Sequence, residues 1–448
     1  MGTGFLERSR IVASPGWSRW LVPPAALSIH LAIGQVYAWS VFKKPLEASL
    51  GIPGVASALP FTLGIVMLGA SAALFGTRVD RNGPRWAMFV SMCCFCGGFL
   101  IAALGVAIRQ YWLVVLGYGV IGGIGLGIGY ISPVSTLIAW FPDRPGLATG
   151  IAIMGFGGGA LIAAPWSNSM LTAFGATGAH PQAGGIATAF LIHGLAYAVF
   201  MSMGWLLVRV PARDRAPEGP LISAGGVSAR NAIRTPQFWL LWVVLCFNVT
   251  AGIGILERAA PIYSDFFPGS AGLAAAAAGF VAILSLANML GRFIWSSASD
   301  ALGRRNAYRI YLGIGALLYL GVVLTRNTDK VVFLVCCLLI LSFYGAGFAT
   351  VPAYLRDLFG TGQVGAIHGR LLTAWSTAGV LGPVIVNAIA DSRIAAGVTG
   401  PGRYTPSFTI MIGLLVIGFV CNELIRPVNP GLHEPVPEPT AGKAGMTA

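Results

Sequence analysis

The sequence predicts an all-α polytopic membrane protein with twelve transmembrane helices, arranged as two related bundles of six. Three observations lead to this fold class: the composition, the number of long apolar stretches, and motifs that recur half a chain apart. Of the 448 residues, 56% are hydrophobic and 10% are charged, and the mean hydropathy is +0.77. A soluble protein carries about 25% charged residues, so this chain could not cover a water-exposed surface. The same composition excludes collagen-like, disordered and disulfide-rich classes.

Apolar stretches of membrane-spanning length divide the chain into six, a polar loop, and six more. The N-terminal bundle, residues 21–208, contains stretches at 21–42, 57–76, 86–108, 112–139, 147–170 and 187–208. The C-terminal bundle, residues 235–426, contains stretches at 238–263, 274–297, 308–325, 331–355, 371–390 and 405–425. An N-terminal segment (1–20) precedes the bundles, a loop (209–234) separates them, and a Pro-rich tail (427–448) is expected to be disordered.

Basic residues are distributed unequally between the two ends of these stretches. With the N-terminus in the cytoplasm, 19 Lys and Arg residues fall on the cytoplasmic side and eight on the opposite side, and Arg292 alone lies inside a span. This excess follows the positive-inside rule. We therefore expect an inner (plasma) membrane protein, surrounded by lipid, with both termini and the 209–234 loop in the cytoplasm. The same rule explains the net charge of +13 without a nucleic-acid partner.

Two features that suggest cofactors in soluble proteins have a simpler explanation here. The seven cysteines lie in apolar stretches without zinc-type spacing, so we expect neither a metal nor a cofactor. The stretch 117–122 matches the dinucleotide signature G-x-G-x-x-G, but it lies inside a continuous span without a strand–turn–helix context. Gly119, Gly123 and Gly127 instead recur every four residues, which predicts a helix face that packs closely on a neighbouring helix.

The two bundles are predicted to be repeats of one another. The motif D-x-x-G-x-R follows the second span at 80–85 and the eighth span at 300–305, an offset of 220 residues. Prolines and glycines recur at almost the same offset: Pro133 with Pro352, Gly150 with Gly369, and Pro165 with Pro383. Two parallel repeats of six helices around a site at the bilayer midplane are typical of alternating-access secondary transporters.

The repeated motif predicts a gate on the cytoplasmic side. Its glycine permits a tight turn between two helices, and its Asp and Arg can pair across the neighbouring helix end. The motif could instead serve only as a topological anchor that obeys the charge rule; its occurrence at two equivalent positions favours the gate. The residues assigned to the gate are Gly76, Asp80, Gly83 and Arg85 in the first half, and Asp300, Gly303 and Arg305 in the second.

Arg292 is the candidate for binding an anionic substrate. Eight residues separate it from Asp300 at the end of its span, or about 12 Å of helix, which places it near the bilayer centre. A charged side chain at that depth costs at least ~2.5 kcal/mol and faces a polar cavity or a partner. No Asp or Glu lies deep in another span, so a substrate anion would supply the missing charge. The alternative is an arginine held by backbone carbonyls and hydroxyls.

Several other polar residues in the spans are candidates with weaker support. His30, in the middle of the first span, could carry a coupled proton, although a lone histidine can also be only hydrogen-bonded. Glu257 closes the seventh span and is a second proton candidate, or a solvated helix-end residue beside Arg258. The remaining candidates offer hydrogen bonds to a substrate or between helices: Gln35, Tyr37, Tyr130, Asn248 and Tyr344.

Three further motifs carry a resemblance to a known family. These are GQVYAWSVF at 34–42, WFPDRPGLATG at 140–150 and TPQFW at 235–239, and the motif G-x-x-x-D-R-x-G-x-R at 76–85 adds to them. Together they resemble the oxalate/formate antiporter family of the major facilitator superfamily, which is related to the monocarboxylate transporters. The resemblance extends from Trp20 to Arg426 and implies organic-anion transport, with Arg292 as the carboxylate-binding residue.

Two departures from the family pattern bear on the substrate. In the oxalate transporter a lysine in the eleventh span joins the arginine and holds the second carboxylate, whereas Trp375 stands at the matching position here. One cation suits one carboxylate, and Trp375 would then either line an apolar wall of the site or pack toward lipid. Animal monocarboxylate carriers have an aspartate four residues before the arginine, where this chain has Asn288, so proton coupling through that carboxylate is unavailable.

The sequence therefore predicts a secondary active transporter of a small monocarboxylate such as lactate, pyruvate or formate. It would work by proton symport or by anion exchange. Oxalate–formate exchange is the alternative within the same class, and a membrane anion sensor is the alternative outside it. The repeated gate motif argues against a sensor. An enzyme is disfavoured, because the sequence offers no nucleophile–base pair and no metal cluster at membrane depth.

Overall fold

A computed structural model describes residues 4–52, 54–176, 182–212, 226–270, 273–325 and 329–433. These residues form helices and turns, with two isolated β-bridges, Val12–Val210 and Val227–His433. Twelve of the helices are long and apolar enough to cross a membrane, which confirms the predicted fold class. The predicted tail lies mostly outside the described residues, as does the middle of the 209–234 loop.

The membrane-length helices follow the predicted order. In the first half they are α1 (Arg19–Ala38), α2 (Leu59–Asn82), α3 (Pro84–Ala107), α4 (Tyr111–Trp140), α5 (Gly146–Ala173) and α6 (Ala183–Leu207). In the second half they are α7 (Pro236–Leu256), α8 (Gly279–Leu302), α9 (Arg304–Thr325), α10 (Lys330–Phe359), α11 (Val364–Ala395) and α12 (Thr405–Leu424). Several run past the apolar stretches: α2 and α8 continue through their motif aspartates, because those polar last turns contact neighbouring helix ends.

Two prolines lie at corresponding places in the two halves, and regular helix is interrupted at several further places. Pro133 and Pro352 each stand 22 residues after the first residue of their helices, which start at residues 111 and 330. A π-helical segment lies near the start of α4 (Val115–Ile121) and another within α9 (Ile310–Ile314). The helix α1 tightens to a 3-10 turn at Gly34–Ala38, and α11 breaks at Leu372. Such departures are common at functional positions in membrane helices.

The predicted glycine face of α4 packs against α2. A Cβ atom added at Gly119 would come within 3.1 Å of the Pro60 carbonyl oxygen, and one at Gly123 within 2.7 Å of the Met67 Cβ atom. A Cβ atom at Gly127 would meet the carbonyl oxygen of Leu68. These contacts confirm the packing role of the three glycines, and the dinucleotide signature is a coincidence of helix packing.

The two halves meet along two crossed pairs of helices. Ser376 of α11 donates to the carbonyl oxygens of Ile65 and Val66 on α2, at 3.1 Å each. On the other side, Arg292 of α8 donates to the carbonyl oxygen of Ile153 on α5, at 3.4 Å. Each pair joins one helix of the first half to one of the second, so the pairs enclose the centre of the molecule between them.

The end of the bundle that carries both D-x-x-G-x-R motifs is called the motif face below. The N-terminal segment lies there, where the Val210 amide donates to the Ile11 carbonyl and the Ala13 amide to the Val210 carbonyl, at 2.9 Å each. The end of the central loop also lies there, where the Val227 amide donates to the Phe359 carbonyl at 2.8 Å. The N-terminal segment and the two ends of the central loop therefore share one face of the bundle.

The charge distribution predicts that the motif face is cytoplasmic. In a protein whose seven native cysteines are replaced, Ser223→Cys in the central loop should resist a membrane-impermeant thiol reagent applied to intact cells. Ser392→Cys, at the exposed opposite end of α11, is the matched control and should react. Labelling at position 223 from outside, with protection at 392, would show that the orientation is reversed.

Candidate functional site

Arg292 lies at the centre of the molecule, between the two halves, and its side chain has 0% exposure. Its Nε atom donates to Oδ1 of Asn288, one turn earlier on α8, at 3.1 Å. Its Nη1 atom donates to the Ile153 carbonyl of α5 at 3.4 Å. Both acceptors are neutral, so neither contact compensates the positive charge. Among the residues that the structure describes, Arg292 is the one charged side chain with no exposed surface.

Aromatic rings from both halves surround this guanidinium. The Arg292 Cζ atom lies 5.6 Å from the ring centre of Phe156 on α5 and 5.2 Å from that of Phe348 on α10. Trp375 of α11 packs on both of these rings, with centre-to-centre distances of 5.4 Å and 4.3 Å. The Trp375 side chain is fully buried, so it faces the protein interior rather than lipid. Tyr130 of α4 completes the shell, 5.3 Å from Trp375.

Three hydrogen-bonding groups in this shell lack a partner within the described part of the chain. They are the Nη2 group of Arg292, the hydroxyl of Tyr130 and the indole Nε1 of Trp375. The Tyr130 hydroxyl lies near the guanidinium but makes no hydrogen bond of good geometry to it. All three can donate, and burying an unpaired donor costs about 1–3 kcal/mol. Three such donors on touching side chains match a ligand rich in acceptors.

A pair of tyrosines links the halves next to this shell. The hydroxyls of Tyr37 on α1 and Tyr344 on α10 are 3.1 Å apart. Tyr37 also packs edge-on against Phe156, and Tyr344 packs against Phe348, so the pair rests on the two rings that face Arg292. Tyr344 precedes Phe348 on α10, on the side away from the motif face. The pair therefore joins the halves between Arg292 and the opposite face.

Not every predicted binding residue reaches this shell. Gln35 accepts a hydrogen bond from the Tyr118 hydroxyl at 3.0 Å, within the first half. Asn248 lies against Gly347 at the packing of α7 on α10. His30 is adjacent to the shell, because its ring contacts the carbonyl oxygens of Ala152 and Tyr130. Glu257 ends its helix, but its side chain lies outside the described part of the structure.

On the motif face, the motif aspartates accept hydrogen bonds from the ends of helices in the opposite half. Asp80 of α2 accepts a hydrogen bond from the Ala366 amide at the start of α11, at 2.8 Å. Asp300 of α8 accepts hydrogen bonds from the amides of Gly146 and Leu147 at the start of α5, at 2.9 and 3.0 Å. Carboxylates are favourable at helix N-termini, which carry partial positive charge.

The expected pairing of the motif arginines Arg85 and Arg305 with the motif aspartates is wrong. Arg85 donates to the backbone carbonyls of Trp205 and Phe5, and Arg305 pairs with Glu423 at 3.0 Å. The preceding residue, Arg304, pairs with Asp300 at 2.5 Å and with Asp357 at 3.1 Å. The reason is geometric: the glycine turn starts α9 at residue 304, which brings that side chain back toward the end of α8.

The motif glycines serve the turns and a close helix contact. Gly83 and Gly303 have φ angles of +88° and +80°, a conformation that side chains with a Cβ atom rarely adopt. Gly76 faces the start of α11, where an added Cβ atom would lie 3.0 Å from the Ala366 Cα atom. Gly76 thus permits the approach that brings Asp80 to the Ala366 amide.

Sequence reasoning did not identify the two phenylalanines of the shell. Phe156 and Phe348 are apolar residues in apolar spans, so nothing in their type or spacing distinguishes them from lipid-facing positions. The role of the Ile153 carbonyl as an acceptor could not be predicted either, because every residue has a backbone carbonyl whatever its side chain. Arg304 could have been found, since Asp300 and Arg304 stand four residues apart, a spacing at which side chains can meet.

Comparisons with known proteins agree with this architecture. The sequence profile of the Major Facilitator Superfamily matches residues 25–383. The oxalate:formate antiporter of Oxalobacter formigenes is 27% identical over 378 residues, which cover 84% of this chain and 86% of that protein. Monocarboxylate transporter 13 of Bos taurus is 22% identical over 90% of this chain and 88% of its own length.

Among solved structures, the fucose:proton symporter of Escherichia coli has the same fold. It superposes with a TM-score of 0.67 over 92% of this chain and 100% of that chain, at 14% sequence identity. Since the superfamily profile covers most of the sequence, the chain belongs to the Major Facilitator Superfamily. It is a multi-pass membrane transporter with relatives among organic-anion carriers.

The contacts of Asp80 predict that its removal opens the motif face. Asp80→Asn keeps the shape of the side chain but removes the negative charge that interacts with the start of α11. This interaction is worth about 1 kcal/mol, so its loss should change the ratio of closed to open molecules roughly fivefold. Spin labels at Arg81→Cys and Thr361→Cys, both exposed on this face, should then show a larger share of long distances. Asp143→Asn, an exposed carboxylate 3.9 Å from Arg19, is the matched control and should leave the distances unchanged. Equal distributions in wild type and Asp80→Asn would refute the gate.

Proposed function

We propose that this protein is a secondary active transporter that moves a small monocarboxylate of the lactate, pyruvate or formate class. Arg292 would bind the carboxylate, and Trp375, Tyr130, Tyr37 and Tyr344 would surround the rest of the molecule. The observation that carries this proposal is the buried, uncompensated guanidinium, which shares its aromatic shell with two other donors that lack partners. A carboxylate supplies both the missing negative charge and two acceptor oxygens.

The substrate class follows from counting charges in the shell. A dicarboxylate such as oxalate needs a second cation, and the position that could provide one carries Trp375, which is packed among aromatic rings. An indole offers one N–H donor and an apolar face, which suits a monocarboxylate with a short apolar group. Oxalate–formate exchange is the second candidate, because the relative from Oxalobacter formigenes bears that name.

Alternating access supplies the transport step of the proposal. The motif face is held shut by Asp80 and Asp300, and the Tyr37–Tyr344 contact joins the halves on the other side of Arg292. Arg292 is thus shielded from both faces, as in an occluded intermediate. Breaking one set of contacts while keeping the other would expose the site to one side at a time.

Coupling and location complete the proposal. Net movement would proceed as proton symport or as anion exchange, with His30 and Glu257 as the residues that could carry a proton. The protein would lie in the inner (plasma) membrane with the motif face in the cytoplasm. A sensor that binds the anion without moving it is the competing function, and counterflow of labelled substrate in proteoliposomes distinguishes the two.

Arg292 substitutions test the carboxylate site. Arg292→Ala should abolish binding, since truncating one member of a buried charge pair costs about 2–5 kcal/mol. Arg292→Lys keeps the charge but loses the two parallel hydrogen bonds, so affinity should fall about 10- to 100-fold. Arg258→Lys, near the opposite face, is the matched control and should bind normally. Binding is measured by calorimetry with lactate, pyruvate, formate and oxalate. Normal affinity in a folded Arg292→Ala protein would contradict the proposal.

Trp375→Lys tests whether the substrate carries one carboxylate or two. The substitution places a second cation within the same aromatic shell as Arg292, so monocarboxylate counterflow should weaken and oxalate binding should strengthen. Trp375→Phe keeps an apolar ring without adding charge, and should leave the preference for monocarboxylates in place. If the wild-type protein prefers oxalate to every monocarboxylate, the role assigned to Trp375 is wrong while that of Arg292 stands.

A further inference from the structure

His30 is a buried histidine whose two ring nitrogens both face backbone carbonyl oxygens. Nδ1 contacts the carbonyl of Ala152 on α5, and Nε2 lies 3.1 Å from the carbonyl of Tyr130 on α4. A carbonyl oxygen can only accept a hydrogen bond. A neutral imidazole has one N–H group, so it satisfies one carbonyl and turns a lone pair toward the other. The protonated ring, with two N–H groups, satisfies both.

His193 shows what a neutral buried histidine looks like in the same protein. Its Nδ1 atom lies 2.6 Å from the Ala189 carbonyl, and its Nε2 atom lies 2.9 Å from the Ser167 hydroxyl. A hydroxyl can donate, so one N–H group and one lone pair are both satisfied. Of these two histidines, only His30 therefore has groups that can only accept a hydrogen bond facing both of its ring nitrogens.

Consecutive peptide groups of α5 connect His30 to the anion site. The carbonyl of Ala152 contacts His30, and the next carbonyl, that of Ile153, accepts from Arg292. Tyr130 adds a second link, because its backbone carbonyl faces His30 while its side chain belongs to the shell around Arg292. A charge on the imidazole would thus lie close to the guanidinium, and like charges in a low-dielectric interior repel strongly.

The groups around His30 oppose or favour its protonation in identifiable ways. Arg292 of α8 and, if charged, His368 of α11 would repel a positive ring, and both interact with His30 electrostatically. Tyr130 of α4 contributes an uncharged phenol ring, tilted by 31° relative to the imidazole, with the ring centres 5.4 Å apart. Near this part of α1, helix α6 places Gly204 against Ser28 and Ile29, and α3 places Ser91 against Gly129 of α4, and all of these residues are uncharged. Burial away from water is the largest obstacle to a charge on His30, and the charge on Arg292 adds to it. A bound carboxylate would neutralise the part that comes from Arg292.

We propose that His30 is a proton-binding site whose occupancy is linked to the binding of a carboxylate at Arg292. When the anion binds, a proton from water joins the imidazole, and both of its N–H groups donate to the carbonyls of Ala152 and Tyr130. When the anion leaves, the proton leaves with it. The carrier then moves one negative and one positive charge together, as an electroneutral symport. This inference rests on the proposed function, since it requires an anion at Arg292.

Proton uptake on ligand binding tests this linkage directly. Purified protein in weakly buffered solution with a pH-indicator dye is mixed with lactate or formate, from about pH 5 to about pH 8, where an imidazole titrates. Wild type should take up as much as about one proton per anion bound, and its affinity should rise as the pH falls. His30→Gln should bind with little pH dependence and take up no proton. His193→Gln is the matched control and should behave as wild type.

The outcomes separate this proposal from the proposed function. If wild type binds lactate or formate without taking up protons, the linkage is refuted whether or not any variant folds. Unchanged proton uptake by a folded His30→Gln protein also refutes it, and loss of uptake in His368→Gln instead assigns the proton to α11. If wild type binds none of lactate, pyruvate, formate and oxalate, the monocarboxylate function itself fails, and the proton site linked to it fails as well.

Discussion

In the part of the chain that the structure describes, one positive charge, that of Arg292, is buried at the centre of the molecule without a negative charge to balance it. The Arg292 guanidinium touches an amide oxygen, a backbone carbonyl and two aromatic faces, each of which stabilises a cation weakly. Burying a charged side chain at this depth costs several kcal/mol of free energy, and this cost falls where the two halves meet. In the proposed function, a carboxylate that binds Arg292 would relieve this cost and would also act on the contact between the halves.

The same helices connect this charge to the motif face. Helix α5 is held by α8 at two points, the Asp300 carboxylate at its first turn and Arg292 two turns further along. Helices α2 and α11 are joined in the same way, through Asp80 and through Ser376. A carboxylate that competes with the Ile153 carbonyl for Arg292 would therefore act on the helix pair that the motif closes. In the proposed function, substrate binding and gate opening are coupled through these pairs.

The sequence predicted the number and order of the helices, because span length and composition are properties of the chain alone. It also selected Arg292, Trp375, Tyr130, Tyr37 and Tyr344, which the structure brings together in one shell. It could not show that Gln35 and Asn248 lie elsewhere, because a span that is apolar all round does not reveal which face turns inward. Phe156 and Phe348 carry no signal for the same reason. The pairing of Arg304 rather than Arg305 depends on where the turn ends, which a motif does not specify.

A distance measurement between the carboxylate and the guanidinium tests the central claim most directly. Protein with ¹⁵N-labelled arginine side chains is saturated with [1-¹³C]lactate in lipid bilayers, and carbon–nitrogen dipolar coupling is recorded by solid-state NMR. Direct hydrogen bonding at about 2.8 Å between oxygen and nitrogen requires a strong coupling from the bound carboxylate carbon, and Arg292→Lys should remove it. Strong coupling that survives Arg292→Lys, or bound lactate without coupling to any arginine, would contradict the account.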